Sequence, residues 1–298
     1  MKVVKGSVEY YESVCLKAET DFDAHGIFEK EIKTAVKNND FARLQSVFYH
    51  ATKLRLLPLG SSGYDHCFVV WPLLDLLACD DFNHIFRVLP EDLPVSTNGF
   101  PMYVHAVNLL LCLLYNREGH EIYEQEKIVE KAEKFLTTKK PLWERSVVAC
   151  ILAILQKDTA GFSENLQKVC EGYGKIRCAE YLKVQCQNAY GLIALAKHVW
   201  TEEEFRNVKY PECRNFHRGY IDWFLSQTEL SNDLCFAYKD SMEELNDILK
   251  MPVAVTRIHQ PYLDSDHPYI SSKAKKEWHM DVKRMFDEFC SEYRMSVQ

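Results

Sequence analysis

A short polar break followed by phenylalanine recurs along this chain, and its spacing restricts the possible folds. The breaks occupy residues 38–41, 80–82 and 158–162, and each contains an aspartate ahead of the phenylalanine. Successive phenylalanines are separated by one and then two intervals of about 40 residues, the period of stacked two-helix repeats. Because one such unit cannot bury its own apolar face, the units stack and leave extended surfaces suited to macromolecular partners.

Helical patterns cover most of the sequence, and alternating strand patterns are rare. Asp40 is an acceptable N-cap, while Thr201 and Ser241 each begin a capping-box pattern. An apolar stripe with helical spacing over residues 182–200 predicts a core helix. The predicted helical segments are 8–19, 26–38, 40–56, 64–79, 80–89, 106–115, 121–136, 141–157, 212–229, 241–250 and 272–292.

The expected architecture is a single all-α domain over residues 1–298, made of stacked antiparallel helix pairs. It divides into N-terminal helices (1–100), central helical repeats (101–251) and an irregular segment with a C-terminal helix (252–298). Two prolines interrupt residues 252–270, which predicts an extended ordered loop. The final helix is expected to fold back as a cap on the repeats.

Composition and charge narrow the classes of function. The chain is 47% apolar, enough for a substantial core, and its net charge of −7 comes without a run of basic residues. A surface that tracks nucleic-acid phosphates is therefore disfavoured, and a partner with a basic surface is favoured. Residues 59–63 form a predicted flexible loop.

The location predicted from the sequence is the cytoplasm. Residues 1–6 lack the apolar run of a signal peptide, and the longest apolar run, residues 147–155, is too short to span a bilayer, so no membrane association is expected. The eleven cysteines are scattered singly among apolar residues, which suits a reducing compartment and unpaired thiols that react slowly.

Motifs for chemistry are few. Residues 172–175 lack the first glycine and the Ser or Thr of a phosphate loop, and neither a paired CxxC nor an HExxH motif occurs. Cys213 and His217 are four residues apart and would share one helix face as half of a possible zinc site. No catalytic residue, no resident cofactor and no metal site is predicted, so we expect a protein that is not an enzyme.

The irregular segments 90–101 and 259–270 are the predicted partner-binding regions, because each interrupts the helices and carries polar and aromatic groups. Asp264, Asp266, His267, His259 and His279 could alternatively converge on a cation or perform acid–base work. The predicted partner-binding residues are Asp92, Asn98, Phe100, His259, Tyr262, Asp264, Asp266, His267 and Tyr269.

Two segments carry a resemblance to a known family. Residues 149–173 form an apolar helix, a Gln-Lys-Asp break and a helix opened by Phe162, and residues 185–200 contain the sequence Gly191-Leu-Ile-Ala-Leu-Ala196. In these features, and loosely over residues 30–230, the chain resembles the all-helical immunity proteins of bacterial polymorphic toxin systems. The Cys-rich composition and the Pro-broken tail depart from that family.

The resemblance implies a cytoplasmic protein that binds and neutralises a cognate toxin without chemistry of its own. We therefore predict an immunity protein that occludes the active site of its partner, with acidic side chains facing a basic catalytic cleft. Two other classes remain open from the sequence. One is a small-molecule or metal-dependent enzyme in a helical bundle, and the other is a helical-repeat scaffold.

Overall fold

The computed structural model describes residues 7–20, 23–57 and 65–296, and the fold over these residues is all-α. The predicted loop at 59–63 lies outside the described residues. The α-helices are α1 (Val8–Thr20), α2 (Asp23–Asn38), α3 (Phe41–Arg55), α4 (Val70–Leu77), α5 (Ile85–Val88), α6 (Pro101–Tyr115), α7 (Gln125–Leu136), α8 (Leu142–Gln156), α9 (Thr159–Tyr173), α10 (Glu180–Val184), α11 (Gln187–Val199), α12 (Glu202–Arg206), α13 (Arg218–Ser226), α14 (Leu245–Ile248) and α15 (Val282–Ser296).

The aspartates of the three breaks each begin a helical segment, as their spacing predicted. Side-chain oxygens of Asp40 and Asp158 accept hydrogen bonds from the backbone N–H groups of Arg43 and Gly161, at 3.0 and 2.9 Å. Each bond satisfies one of the free N–H groups in a first helical turn. Asp81 does the same for a 3₁₀ turn that precedes α5. The all-α prediction is confirmed, and the described residues contain only one small sheet.

Helix pairs form the body of the molecule, but not all of them pack in chain order. The pairs α2–α3, α6–α7 and α8–α9 are neighbours in sequence. In contrast, α11 packs along α4, with Gly191 against the backbone of Leu74. A β-carbon at position 191 would overlap with the Leu74 carbonyl oxygen, so only glycine permits this close approach.

Amphipathic α7 lies on the outside, as its pattern predicted, with Ile128, Ala132 and Phe135 buried. The stripe over residues 182–200 is buried too, but a break between α10 and α11 divides it into two helices. The capping box at Thr201 is formed, and Glu204 completes it. The box predicted at Ser241 is absent, because a 3₁₀ turn over Asp240–Met242 occupies this position instead.

Several predicted helices have the wrong bounds: 64–79, 80–89 and 241–250 are α-helical only over α4, α5 and α14, and 121–136 begins at Gln125. Two further errors concern candidate functional residues. The segment 212–229 is helical only over α13, so Cys213 and His217 precede the helix and do not share a helix face. The segment 272–292 begins with a 3₁₀ turn and a short strand, and α15 starts only at Val282. In both places tertiary contacts to earlier elements hold the backbone out of the helical conformation that the local sequence favours.

The last helix closes a second hydrophobic cluster rather than capping the central repeats. Met285, Phe286 and Phe289 of α15 are buried against α1 and α14, together with Leu57. The predicted apolar face of the final helix is therefore correct for these three residues, whereas Trp278 lies outside it. Within the described part of the chain, no helix has the length and apolar content needed to cross a membrane.

Polar side chains of α3 hold a long and largely irregular segment, residues 227–251, against the helical body. They act as donors to backbone carbonyl oxygens that have no partner in a helix or sheet. The contacts are Arg43 Nη2 to Cys235 O (2.7 Å), Gln45 Nε2 to Ser231 O (2.8 Å), Tyr49 OH to Leu249 O (3.2 Å) and Lys53 Nζ to Met251 O. The segment is thereby fixed, although α14 and one 3₁₀ turn are its only helical parts.

His50 belongs to the same face of α3 and is fully buried. Its Nδ1 lies 3.3 Å from Cys235 Sγ and its Nε2 lies 3.0 Å from the Tyr238 hydroxyl. Burial, with a smaller contribution from the nearby Arg43 guanidinium, lowers the pKa of His50 to about 3. The imidazole is therefore neutral in the folded protein at all pH values near neutrality.

We expect stability to fall as the pH drops below about 6.5, the ordinary pKa of histidine. Between about pH 6.5 and the folded pKa of about 3, the unfolded chain binds a proton at His50 that the folded chain does not. The stabilisation is thus complete above about pH 6.5 and declines by about 1.4 kcal/mol per unit below it. Denaturant unfolding at about pH 7.5 and 5.0 measures the decline.

Other groups also titrate in this range, so the comparison requires a variant. His50→Gln removes one titrating group, and its free energy of unfolding should decline by about 2 kcal/mol less than that of the wild type over this interval. His267→Gln, at an exposed position, controls for the exchange of a histidine for a glutamine as such. Equal declines in wild type and His50→Gln would contradict the buried neutral imidazole.

Candidate partner-binding cleft

The irregular segment after α5 forms one wall of an open cleft with a volume of about 880 Å³. Helices α6 and α7 form the opposite wall, and the base of a C-terminal hairpin closes one end. The cleft is lined by Glu91, Asp92, Leu93, Pro94, Val95, Ser96, Thr97, Val104, His105, Asn108, Ile122, Tyr123, Glu124, Lys127, Ile128, Lys131, Ile258 and Trp278. We call this feature the cleft.

Buried side chains hold the irregular wall in one conformation. Asn108 of α6 bonds both backbone groups of Ser96, accepting from its N–H at 2.7 Å and donating to its carbonyl oxygen at 2.9 Å. The Ser96 hydroxyl donates to Asp65 at 3.0 Å. The Tyr123 hydroxyl lies 2.8 Å from the carbonyl oxygen of Leu93. The wall is therefore pre-formed, although it has no regular secondary structure.

Gly99 fixes the end of this wall against the turn that precedes α4. Its φ of +138° lies in a region that side-chain-bearing residues rarely adopt, and an added β-carbon would overlap with Cys67 Sγ. The Cys67 thiol in turn lies 3.5 Å from the carbonyl oxygen of Asn98. Asn98 therefore serves to anchor the wall, and its side chain is only half-exposed.

The second region that the sequence singled out is a hairpin. Strand β1 (Ile258–His259) pairs with the antiparallel strand β2 (His279–Met280), and the tip spans residues 260–277. Ile258 and Trp278, at the base, line the cleft. The hairpin therefore reaches the cleft at its base, whereas none of the residues 259–270 is among those that line it.

Large apolar side chains are exposed on the hairpin tip. Tyr262, Leu263 and Tyr269 retain 39%, 52% and 90% of their accessible surface. Phe100 and Val95, on the other wall, are also exposed. Exposed apolar groups arranged in this way mark a surface for a partner more often than isolated ones do.

The predicted partner-binding residues occupy three places. Asp92 lines the cleft. Phe100 lies beyond it, with its ring 5.5 Å from Tyr103 and 6.0 Å from Lys140 Nζ. Six residues belong to the hairpin, and Asn98 anchors the wall. All of the predicted residues except Asn98 are exposed, and those on the hairpin are His259, Tyr262, Asp264, Asp266, His267 and Tyr269.

The His and Asp residues of the hairpin have separate neighbours. His259 Nδ1 lies 3.3 Å from Asp281 Oδ2, whereas the rings of His279 and Tyr262 meet edge to face. Partial burial would raise the pKa of Asp281, but hydrogen bonds from the Arg284 backbone and from His259 outweigh it, and the pKa is lowered. Within the described residues, no group of three or more His, Cys, Asp or Glu side chains is placed to hold a metal ion.

The half-site of Cys213 and His217 is also divided. Gln167 Nε2 donates to Cys213 Sγ at 3.2 Å, while His217 Nε2 lies 3.0 Å from Asn39 Oδ1. The His217 backbone N–H donates to the Tyr190 hydroxyl at 2.7 Å. The two side chains therefore have different partners, in contrast to the shared helix face predicted from their spacing.

Several residues that line the cleft were not predicted as partner-binding residues. They lie in helices for which the sequence indicated only a structural role. Lys127 and Lys131 face the cleft from α7, opposite Glu91 and Asp92. Burial, followed by the nearby Lys131 ammonium, lowers the pKa of His105, which is therefore neutral at neutral pH. Lys127 and Lys131 gave no signal in the sequence, because charged residues on the polar face of an amphipathic helix normally face solvent. Trp278 had none, since it was assigned to the final helix.

The chain matches no family model, no curated protein and no solved structure.

Proposed function

We propose that this protein is an immunity protein that binds and neutralises a toxin domain by covering its active site. The observation that supports this most is the pre-formed irregular wall of the cleft, which the base of the hairpin closes at one end, together with the exposed apolar and acidic side chains of the two segments. Such a surface combines apolar side chains that a partner can bury with charged side chains that orient the partner. The family resemblance stated above supplies the class of partner.

In this proposal the exposed aromatic side chains provide most of the binding free energy. Tyr262 and Tyr269 on the hairpin tip, and Phe100 beyond the cleft, present large exposed rings. Tyrosine and tryptophan are enriched among the residues that dominate protein interfaces, because their rings bury a large area at a small cost in conformational entropy. The surrounding polar contacts exclude water and set the orientation.

In this proposal, carboxylates of the cleft wall and of the hairpin tip steer the encounter. Asp92 lies on the cleft wall, and Asp264 and Asp266 lie on the hairpin tip, all three exposed. A toxin that acts on nucleic acid presents a basic cleft, so these groups attract it at long range and then occupy the site of its substrate. Occlusion needs no chemistry from the bound inhibitor.

The rigid cleft wall favours tight binding. A segment that is already ordered before binding loses little conformational entropy on association. The bonds from Asn108 and Tyr123 fix this wall through α6 and the segment before α7. Little movement of the backbone is therefore expected on complex formation.

Reversing two charges on the hairpin tests the proposal. With the toxin domain encoded beside this protein as the partner, Asp264→Lys with Asp266→Lys should slow association about tenfold at low salt. The salt dependence of the association rate should also decrease. Stopped-flow association at two salt concentrations measures both effects, and co-expression with the toxin measures protection of the cells.

The control is Glu203→Lys with Glu212→Lys, which changes the net charge equally at exposed positions that do not line the cleft. It should have a clearly smaller effect than the hairpin variant. Equal effects of the two double variants on the association rate would show that the hairpin is not part of the interface. Failure of the wild-type protein to bind the neighbouring toxin domain or to protect cells would contradict the immunity function itself.

A small-molecule function is a second candidate, since the volume of the cleft, about 880 Å³, lies within the range of ligand sites. Its mixed lining of charged, aromatic and aliphatic groups is also typical of such sites. Turnover of a metabolite by the wild-type protein that is lost in Trp278→Ala would favour this candidate. The same variant would then serve to locate the ligand.

A further inference from the structure

Three cysteines from separate parts of the chain meet on the side of the molecule formed by α9 and α11. Cys170 lies near the end of α9, Cys186 precedes α11, and Cys213 lies in the non-helical segment before α13. Asn215 bonds to the backbone of both Cys170 and Cys186, and Gln167, three residues before Cys170 on α9, contacts Cys213 Sγ at 3.2 Å. Burial, with a contribution from the neighbouring Cys170 thiol, raises the pKa of the Cys186 and Cys213 thiols. None of the three belongs to the cleft.

Backbone and amide contacts hold the three thiols together independently of the sulfur atoms. The Asn215 carbonyl oxygen accepts from the Cys186 N–H at 2.7 Å, and Asn215 Nδ2 donates to the Cys170 carbonyl oxygen at 3.0 Å. Gln167 of α9 adds a third bond, because its Oε1 accepts from the Glu212 N–H at 2.8 Å. The segment that contains Cys213 is therefore fastened beside both other cysteines.

Most other cysteines have different surroundings. The thiols of Cys79, Cys67 and Cys150 contact backbone carbonyl oxygens of Asp75, Asn98 and Phe162, at 3.2, 3.5 and 3.9 Å. Cys235 contacts His50. Each of these thiols thus contacts a carbonyl oxygen or an imidazole.

Cys213 provides the route from solvent to this group. It is partly exposed, whereas Cys170 and Cys186 are buried. The Gln167 amide N–H that contacts Cys213 Sγ at 3.2 Å stabilises negative charge on the sulfur. An oxidant that reaches Cys213 therefore finds a second thiol immediately behind it.

We propose that Cys213, Cys170 and Cys186 form an oxidisable thiol site, in which Cys213 reacts first and Cys170 closes a disulfide with it. With the two-electron oxidant diamide, the Cys213 thiolate adds to one nitrogen of the N=N bond and the other nitrogen takes a proton. The Cys170 thiolate then attacks Cys213 Sγ and displaces the protonated hydrazine product. Two thiols are oxidised to one disulfide, and diamide is reduced to the hydrazine.

A second step moves the bond inward. The Cys186 thiolate can attack Cys170 Sγ in the new disulfide, which forms a Cys170–Cys186 bond and returns Cys213 to the thiol. The electron balance is unchanged, since one disulfide replaces another. Because burial raises the pKa of the Cys213 and Cys186 thiols, both steps should accelerate as the pH rises towards about 9.

The test is oxidation of the purified, fully reduced protein with diamide at about pH 8.5, a value at which thiols begin to ionise. After acid quenching, blocking of the remaining thiols and digestion, mass spectrometry identifies the linked peptides. A Cys170–Cys213 disulfide as the first product, followed by Cys170–Cys186, is the expected result. The number of free thiols should fall by two.

Two serine variants test the order of events. Cys213→Ser should slow disulfide formation at Cys170 at least tenfold. Cys178→Ser, at the other partly exposed cysteine, should leave the rate and the products unchanged. Formation of Cys170–Cys186 at the wild-type rate in Cys213→Ser would overturn the role of Cys213. Absence of an intramolecular disulfide at Cys170, or a first product that joins Cys178, would overturn the site. These outcomes are independent of whether the protein binds a toxin.

Discussion

Gly191→Ala should lower the free energy of unfolding by about 3 kcal/mol or more, because the added methyl group would overlap with the Leu74 carbonyl oxygen. The overlap is with backbone, so relief requires α4 and α11 to separate. Separation would open the most buried part of the core, where Leu73, Leu74 and Ile193 are almost fully excluded from solvent. Denaturant unfolding followed by circular dichroism measures the change.

The matched control is Gly26→Ala in α2. This glycine also lies within a helix, but an added β-carbon would meet no atom within 4 Å. Alanine has the higher helix propensity, so this variant should be more stable than the wild type by up to about 1 kcal/mol. Overpacking at a tolerant site can cost about 1 kcal/mol. If Gly191→Ala lowers the free energy of unfolding by no more than this, α4 and α11 do not pack this closely.

Asp75→Asn should lower the free energy of unfolding by about 3 kcal/mol, the lower end of the range for breaking a buried ion pair. Asp75 is fully buried in α4, and its Oδ2 lies 2.5 Å from Arg55 Nη2. Burial raises the pKa of the Asp75 carboxyl, and the Arg55 guanidinium opposes this effect. We expect a loss at the lower end of the range for buried ion pairs because the Arg55 side chain is 24% exposed and retains some solvation.

A double-mutant cycle separates the ion pair from its surroundings. The single variants are Asp75→Asn and Arg55→Met, and the double variant removes both charges. The loss in the double variant should be smaller than the sum of the two single losses, because no buried charge is then left without a partner. Additive losses would mean that Asp75 acts mainly through Asn188, whose Nδ2 donates to its Oδ1 at 2.7 Å.

Local signals in the sequence correctly identified the elements whose ends are determined by their own side chains. Asp40 and Asp158 begin helices because their carboxylates satisfy N–H groups only three residues away. The spacing of Ile128, Ala132 and Phe135 places them on one face of α7, whatever that face contacts. In such cases the information lies within a few residues of the element.

Contacts between distant parts of the chain were not visible in the same way. Gly191 appears in the sequence as one residue of a helical Gly-Leu pattern, and nothing near it indicates that Leu74 lies against it. The segment 212–217 was predicted to be helical, but its backbone N–H groups donate to Gln167 and Tyr190, and it forms a turn instead. Trp278 was predicted to lie on the apolar face of the final helix. In the structure it directly precedes strand β2, whose pairing with β1 determines its position near the cleft.

The candidate site was predictable in outline because irregular segments with prolines and exposed aromatics stand out against a helical background. Their approach to one another was not predictable, since residues 90–101 and 258–280 are joined only through the fold. The charged wall of α7 was overlooked for a related reason. Lys127 and Lys131 look like ordinary solvent-facing residues until the opposite wall is in place.

The packing of α1 on α15 has a consequence for synthesis of the chain. Tyr11, Val14 and Cys15 of α1 are buried by residues that the ribosome adds more than two hundred positions later. At about 5–20 residues per second, the apolar face of α1 waits roughly 15 to 50 s for its partner. During that interval a chaperone has access to α1, and premature termination leaves this face permanently uncovered.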